Sequence, residues 1–321
     1  MRRFFLLILM VLVVMCCYGC ADSIEKPNVA AQKETYVVQD ARGKKLRFET
    51  KPQRIVSLYI YGDEVLLGLV DHKRIAGLSK WVHDKDLSMA TEEAKDVKQI
   101  VANTPESVLA LKPDLVLLPS STKAEQISAL EDIGVKVFVY PAASRLSNIP
   151  DTIRIIGAAV GERKQAEKLI AEMQQRIGAV EAKTKEIAPN ARKRSLLYLR
   201  LGVIGGKGMI FNDILTAAGV EDCYDSGRSN YLNQDGKSRI LSKEEVVQAN
   251  PDYFIVGTWS MGGADKAGKA LLEEIYSDPA LATVTAVRKK QGIIIPSGYV
   301  NCLSQHAADA IELLHEAVYG K

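Results

Sequence analysis

The sequence predicts an α/β protein of two lobes with mainly parallel sheets, joined by one long α-helix, with the functional cleft between the lobes. Three observations predict it. First, a short segment occurs twice: residues 104–118 read TPESVLALKPDLVLL and residues 242–256 read SKEEVVQANPDYFIV. Each copy opens on a hydroxyl residue that can cap a helix (Thr104, Ser242) and has a glutamate two positions later (Glu106, Glu244). Each reaches Pro-Asp seven residues after that glutamate, then enters an apolar strand. Second, strand and helix signals alternate in both halves of the chain, which implies parallel βα units covered on both faces. Third, residues 149–187 between the halves carry almost no strand signal.

In chain order, Arg2 and Arg3 precede an apolar run from Phe4 to Met15, a charged segment and a hydrophobic segment too short to span a bilayer comfortably. Gly19-Cys20 follows and resembles the lipobox of bacterial lipoproteins, which implies acylation at Cys20; Cys17 and Tyr18 depart from the usual pattern. The alternatives are an ordinary secretory signal or an uncleaved anchor. Residues 1–19 are thus expected to be a signal peptide and 20–35 a lipidated tether, polar and aperiodic, which places the protein outside the cytoplasm on a membrane.

The fold is expected from Tyr36. Tyr36–Val38 and Lys45–Phe48 flank Asp40-Ala-Arg-Gly43 as a β-hairpin. Strands at 55–58, 75–78, 115–118 and 135–140 alternate with helices at 64–69, after Thr104, and at 124–133, where Gly134 can end the helix. Residues 36–148 make the N-terminal lobe, 149–188 the connecting helix with Gly157 and Gly161 as possible breaks, and 189–321 the C-terminal lobe. The second lobe has strands at 195–199, 253–256 and 292–295, and helices at 212–218, after Ser242, at 269–276 and at 305–318.

Composition excludes some classes. The formal charge is +3, and +1 once residues 1–19 are removed, so there is no basic excess for nucleic acid. Only Cys223 and Cys302 lie beyond the export segment; they either pair or remain two free thiols. Four histidines are present, with no HxH or HExxH pattern, so no preformed site for a bare metal ion is visible. His72 and His315 are expected at the surface.

The strings KPQRIVSL, ESVLALKPDLVLL, IGVKVFVY, GGKGMIFNDILTAAGV and LSKEEVVQANPDYFIV occur in this order. Together they resemble the substrate-binding proteins of ABC importers for iron–siderophores, cobalamin and haem, over residues 36–320, with 54–321 as the binding unit. The resemblance implies two α/β lobes on one long helix, a monomer, and a partner permease dimer with its ATPase. It also implies that Glu106 and Glu244, one per lobe, dock on permease arginines. Charge-assisted pairs of that kind orient as well as attract. The plainer role of either glutamate is to complement its helix dipole.

Ligands of open α/β sheets bind beyond the C-terminal ends of the strands. That rule selects Tyr59, Tyr61, Trp81 and Ser120 in the first lobe, and Arg200, Trp259 and Tyr299 in the second. The aromatics can wall a large planar or chelated ligand, and Arg200 can pair with its acidic groups. Each aromatic is equally compatible with packing on its own lobe. The ligand is expected to be a metal chelate, an iron–siderophore before cobalamin and cobalamin before haem, with no protein cofactor; ligation of its metal by His83 or a tyrosine stays open. Haem-binding relatives often place a tyrosine where Trp81 stands.

Three other patterns carry less. Gly263-ADKA-Gly268-Lys269 has the glycine spacing of a phosphate loop, but Ala270 replaces the hydroxyl needed for magnesium. Residues 202–208 are glycine-rich without a dinucleotide-binding register. Ser304, His306 and Asp309 lie close together, but the expectation there is a solvated helix start, not a catalytic triad. An extracytoplasmic enzyme using His306 or His83, or a sensor lipoprotein on the same frame, is the alternative reading.

Overall fold

The computed structural model describes residues 35–97, 99–200, 202–203, 209–223, 240–258 and 264–320. Cys20, Trp259, most of the glycine-rich stretch 202–208 and Gly263 of the 263–269 pattern lie outside the described residues. An antiparallel hairpin, β1 (Tyr36–Gln39) with β2 (Lys45–Phe48), opens the fold. Asp40 builds its turn: the carboxylate accepts from the backbone of Arg42 and Lys44 and from the Arg42 guanidinium. Tyr36 and Phe48 stack across the two strands.

The N-terminal sheet is fully parallel. Its order is β5 (Ile100–Val101), β4 (Ile75–Ser79), β3 (Ile55–Ser57), β6 (Leu115–Pro119), β7 (Val137–Tyr140). Residues 115–118 and 137–140 are buried without a break, the pattern expected of strands covered on both faces. Helices α1 (Ile60–Leu69), α2 (Pro105–Ala110) and α3 (Ala124–Asp132) form the crossovers, and Gly134 follows α3 with φ +82°.

The expected 149–187 helix is two helices, α4 (Ile149–Ala159) and α5 (Arg163–Lys185). The chain breaks at Gly161, whose φ of +77° suits glycine. The freed carbonyls at the end of α4 are capped from the N-terminal lobe: Tyr36 Oη donates to Ala159 O at 3.0 Å and Arg74 Nη2 to Val160 O at 2.6 Å. The connector proper is therefore the 23-residue α5. One of its faces, Ala166, Ile170, Met173, Ile177 and Val180, is buried in a core that also takes in residues of both lobes.

The second sheet has the order β10 (Glu221–Asp222), β8 (Arg194–Leu199), β11 (Tyr253–Thr258), β12 (Gly292–Pro296), all parallel, with β9 (Gly202–Val203) antiparallel on β8. Helices α6 (Ile210–Ala217), α7 (Lys243–Ala249), α8 (Ala264–Ser277), α9 (Thr285–Arg288), α10 (Ser297–Val300) and α11 (Ala307–Tyr319) complete it. Cys223 and Cys302 are both free, and burial holds both thiols in the protonated form. His315 is buried, contrary to expectation: Nδ1 lies 3.1 Å from Ala218 O and the ring packs on Tyr319. His72 is half-buried.

Candidate functional site

The two repeat copies fold alike, residue for residue. Thr104 Oγ1 accepts from Ser107 N at 3.4 Å, and Ser242 Oγ accepts from Glu245 N at 3.2 Å, with Glu245 returning a bond to Ser242 N. Lys112 and Asn250, each just before the proline, both take left-handed φ, +47° and +43°. Asp114 then accepts from Gln53 N and Arg54 N, and Asp252 from Arg194 N at 3.0 Å. Each aspartate thus ties its strand to the start of the neighbouring central strand, β3 or β8. Glu106 and Glu244 are exposed in the first turns of α2 and α7. Each of these helices leads back into a parallel strand, so its N-terminus lies toward the strands' C-terminal ends.

The strand order reverses between β3 and β6 in one lobe and between β8 and β11 in the other. Those switch points are where an open α/β sheet offers a crevice. Tyr59 leaves β3 half-buried, its Oη 3.5 Å from Gln126 Oε1; the Gln126 amide in turn donates to Asn103 Oδ1, next to the cap of α2. Trp81 follows β4, half-buried, with Lys80 Nζ 4.3 Å from its ring centroid. Ser120 is exposed after β6, and its Oγ accepts from Ala142 N at 3.2 Å, joining the ends of β6 and β7. Arg200 is exposed after β8.

Tyr61 and Tyr299 occupy a different place. Both are half-buried, and burial pushes the Tyr61 hydroxyl up to about 12 and raises that of Tyr299. Both lie within electrostatic reach of the Glu64 carboxylate and the Cys302 thiol. The structure therefore gathers these two predicted residues at the seam where the lobes meet, while Tyr59, Trp81, Ser120 and Arg200 stand at the strand ends.

That seam holds residues the sequence reading missed. Asp63 and Glu64, adjacent on α1, are both buried. Asp63 Oδ2 accepts from Ser79 N at 3.1 Å and Ser79 Oγ at 2.5 Å, tying α1 to the end of β4. Burial pushes its carboxyl up to about 7 despite those donors. Glu64 is also raised by burial, with His306 and Ser304 opposing. Ser304 is buried and donates to Glu64 Oε2 at 2.5 Å, so it does not serve His306. His306 pairs with Asp309 at 2.6 Å; burial disfavours its charge, but Asp309 and Glu64 outweigh this and raise its pKa. The segment expected to be a solvated helix start is therefore the second lobe's side of a buried polar joint. It is not a triad, because the hydroxyl is committed to a carboxylate.

Two cavities flank α5, of about 560 and 1000 Å³, one reaching Glu64 and His306, the other Arg145 and Asp213. Neither contains a predicted ligand residue. The strand-end rule places the ligand residues elsewhere, beyond the C-terminal ends of the parallel strands. Among the described residues no cluster of three His, Cys, Asp or Glu side chains could hold a metal ion, and no helix is long and apolar enough to cross a membrane.

Residues 55–299 match the family described as periplasmic binding protein. The chain belongs to this family. Among its periplasmic binding protein relatives is an uncharacterized ABC transporter substrate-binding lipoprotein of Bacillus subtilis (strain 168), 24% identical over 74% of this chain and 75% of that one. A cobalamin-binding protein of Halobacterium salinarum (strain ATCC 29341 / DSM 671 / R1) is 23% identical over 82% of this chain and 68% of its own. A periplasmic binding protein from Veillonella parvula dsm 2008 shares the fold at a TM-score of 0.69, with 21% identity over 89% of this chain and 98% of that one. Membership makes this chain a substrate-binding protein of ABC transport and not an enzyme. Delivery to a permease with its ATPase, outside the cytoplasm, follows from the family.

Proposed function

We propose that this binding protein captures a metal chelate between its two lobes and hands it to an ABC permease, with an iron–siderophore ahead of cobalamin and cobalamin ahead of haem. The observation that carries the reading is the pairing of two parallel sheets whose switch points each end in aromatic or polar loop residues. Tyr59, Trp81 and Ser120 supply one wall, Arg200 the other, and Tyr61 and Tyr299 the floor; Trp259, a further candidate from the sequence, lies outside the described residues. The chelate brings its own metal ligands. No protein cofactor is required. Trp81 at the position where haem-binding relatives often carry tyrosine ranks haem third.

In this reading the molecule works as a monomer, held to the membrane by lipid on Cys20, and Glu106 and Glu244 meet basic sites on the two permease subunits. Exposed carboxylates in first helical turns are free to exchange water for guanidinium at modest desolvation cost. The test is to purify the protein from its host and record its visible absorption. Bands of a ferric siderophore, a corrinoid or haem support the class and select its member. A protein that copurifies with a metal-free organic solute, and binds none of the three chelates when they are added, refutes it.

A further inference from the structure

Glu64 lies at the joint between the lobes, 2% exposed, and its carboxylate is shared between them. Oε1 accepts from Met89 N at 2.8 Å and Ser88 Oγ at 3.4 Å, both in the loop that follows Trp81. Oε2 accepts from Ser304 Oγ at 2.5 Å, in the second lobe. The main-chain oxygen of the same residue accepts from Gln305 Nε2 at 2.8 Å. Beside this joint, Gly298 N donates to Asp86 O at 2.8 Å, again from one lobe to the other. A Cβ on Gly298 would stand 2.4 Å from Leu87 O, so the two backbones have no slack. The other polar links across the described lobes differ in kind. Arg145 pairs with Asp213 across the lobes and Arg176 of the connector α5 pairs with Asp309 and Glu312, all partly exposed ion pairs, and Leu146 N donates to Asp213 Oδ2 at 3.0 Å.

We propose that Glu64 is the pivot of the lobes, a positioning residue that sets the width of the ligand cleft. Parting the lobes at Ser304 would strand a buried carboxylate without one of its donors, whereas exposed ion pairs re-form with water at little cost. Opening and closing therefore turn about the Glu64–Ser304 contact, with the Gly298–Asp86 backbone pair as its bearing, and the strand-end loops move most. This rests on the reading that the ligand sits between the lobes. The groups facing Glu64 from the packed elements are Tyr61 and Asp63 on α1, and Tyr299, Cys302 and His306 of the second lobe, with Asp309 paired to His306. Ser304 Oγ also accepts from His306 N at 3.3 Å, so it meets His306 through the backbone and not the ring.

Hydrogen exchange on the intact protein tests it, with cyanocobalamin and a ferric hydroxamate as probes. In the unliganded protein the Met89 and Gly298 amides should be strongly protected. A probe that binds should slow exchange in the loops after β6 and β8 and leave Met89 and Gly298 unchanged. Ser304→Ala should speed exchange at both joint amides more than tenfold, leave α5 unaltered, and weaken the bound probe about tenfold. Gly298→Ala, which wedges the bearing without touching Glu64, should do the same. The pivot is overturned if a probe changes exchange at the joint as much as in the loops. It is also overturned if folded Ser304→Ala and Gly298→Ala proteins both keep the parent's exchange at Met89. If neither probe binds, the cargo reading suffers, and the two variants still decide the pivot in the unliganded protein.

Discussion

Asp63 gives the sharpest test at the residue scale. Its carboxyl is pushed up to about 7 by burial, against an ordinary value of 3.8. Below pH 4 the folded and unfolded states both hold the proton. As pH rises from about 4 to 7 the unfolded state releases it first, so stability falls across that window and the full penalty stands above it. Asp63→Asn cannot ionise and escapes the penalty. Urea unfolding should find the variant more stable than the parent by about 2 kcal/mol at pH 8, with the difference vanishing near pH 4. A variant less stable at pH 8 would show that the carboxylate is held charged. Asp63 Oδ1 is buried with no hydrogen-bond donor in geometric reach among the described residues, which fits a protonated acid rather than a charged one. None of this was legible beforehand. Glu64 and Ser304 meet across 240 positions, and nothing local marks either residue as buried. Tyr59, Trp81, Ser120 and Arg200 could be placed at strand ends from the sequence because strand ends can be read locally.

At the scale of elements, the repeat shows how much a local signal can fix. The hydroxyl caps, the Pro-Asp pairs and the strands after them all have structural counterparts in both lobes, because each depends on neighbours a few positions away. What the pattern could not reveal was the target of the aspartates, since their partners lie on β3 and β8. Asp114→Ala should lower stability by about 1 kcal/mol, read as a shift in the urea midpoint, because two exposed backbone donors lose a charged acceptor and turn to water. Asp252→Ala should cost less, with one such donor described. The connector was only partly legible: helical periodicity was plain, yet the break depends on φ at Gly161 and on caps from Tyr36 and Arg74. Gly161→Ala should cost about 1 kcal/mol in the same assay through the left-handed backbone. A cost well below that would show that the break tolerates a side chain.

At the scale of the whole molecule, the architecture divides the work. In the proposed function the switch points serve the ligand, the buried joint and α5 hold the lobes, and Glu106 and Glu244, exposed in the first turns of α2 and α7, serve the permease. Docking is electrostatic in this account, so affinity for the permease should fall as salt rises, and the double variant should lose most of that salt dependence. The most direct measurement is uptake of the identified chelate into proteoliposomes bearing the permease and its ATPase, with chelate affinity measured alongside. The account predicts that Glu106→Ala with Glu244→Ala abolishes uptake while the affinity for the chelate stays at the parent's value. Uptake equal to the parent's, at unchanged affinity, would contradict it.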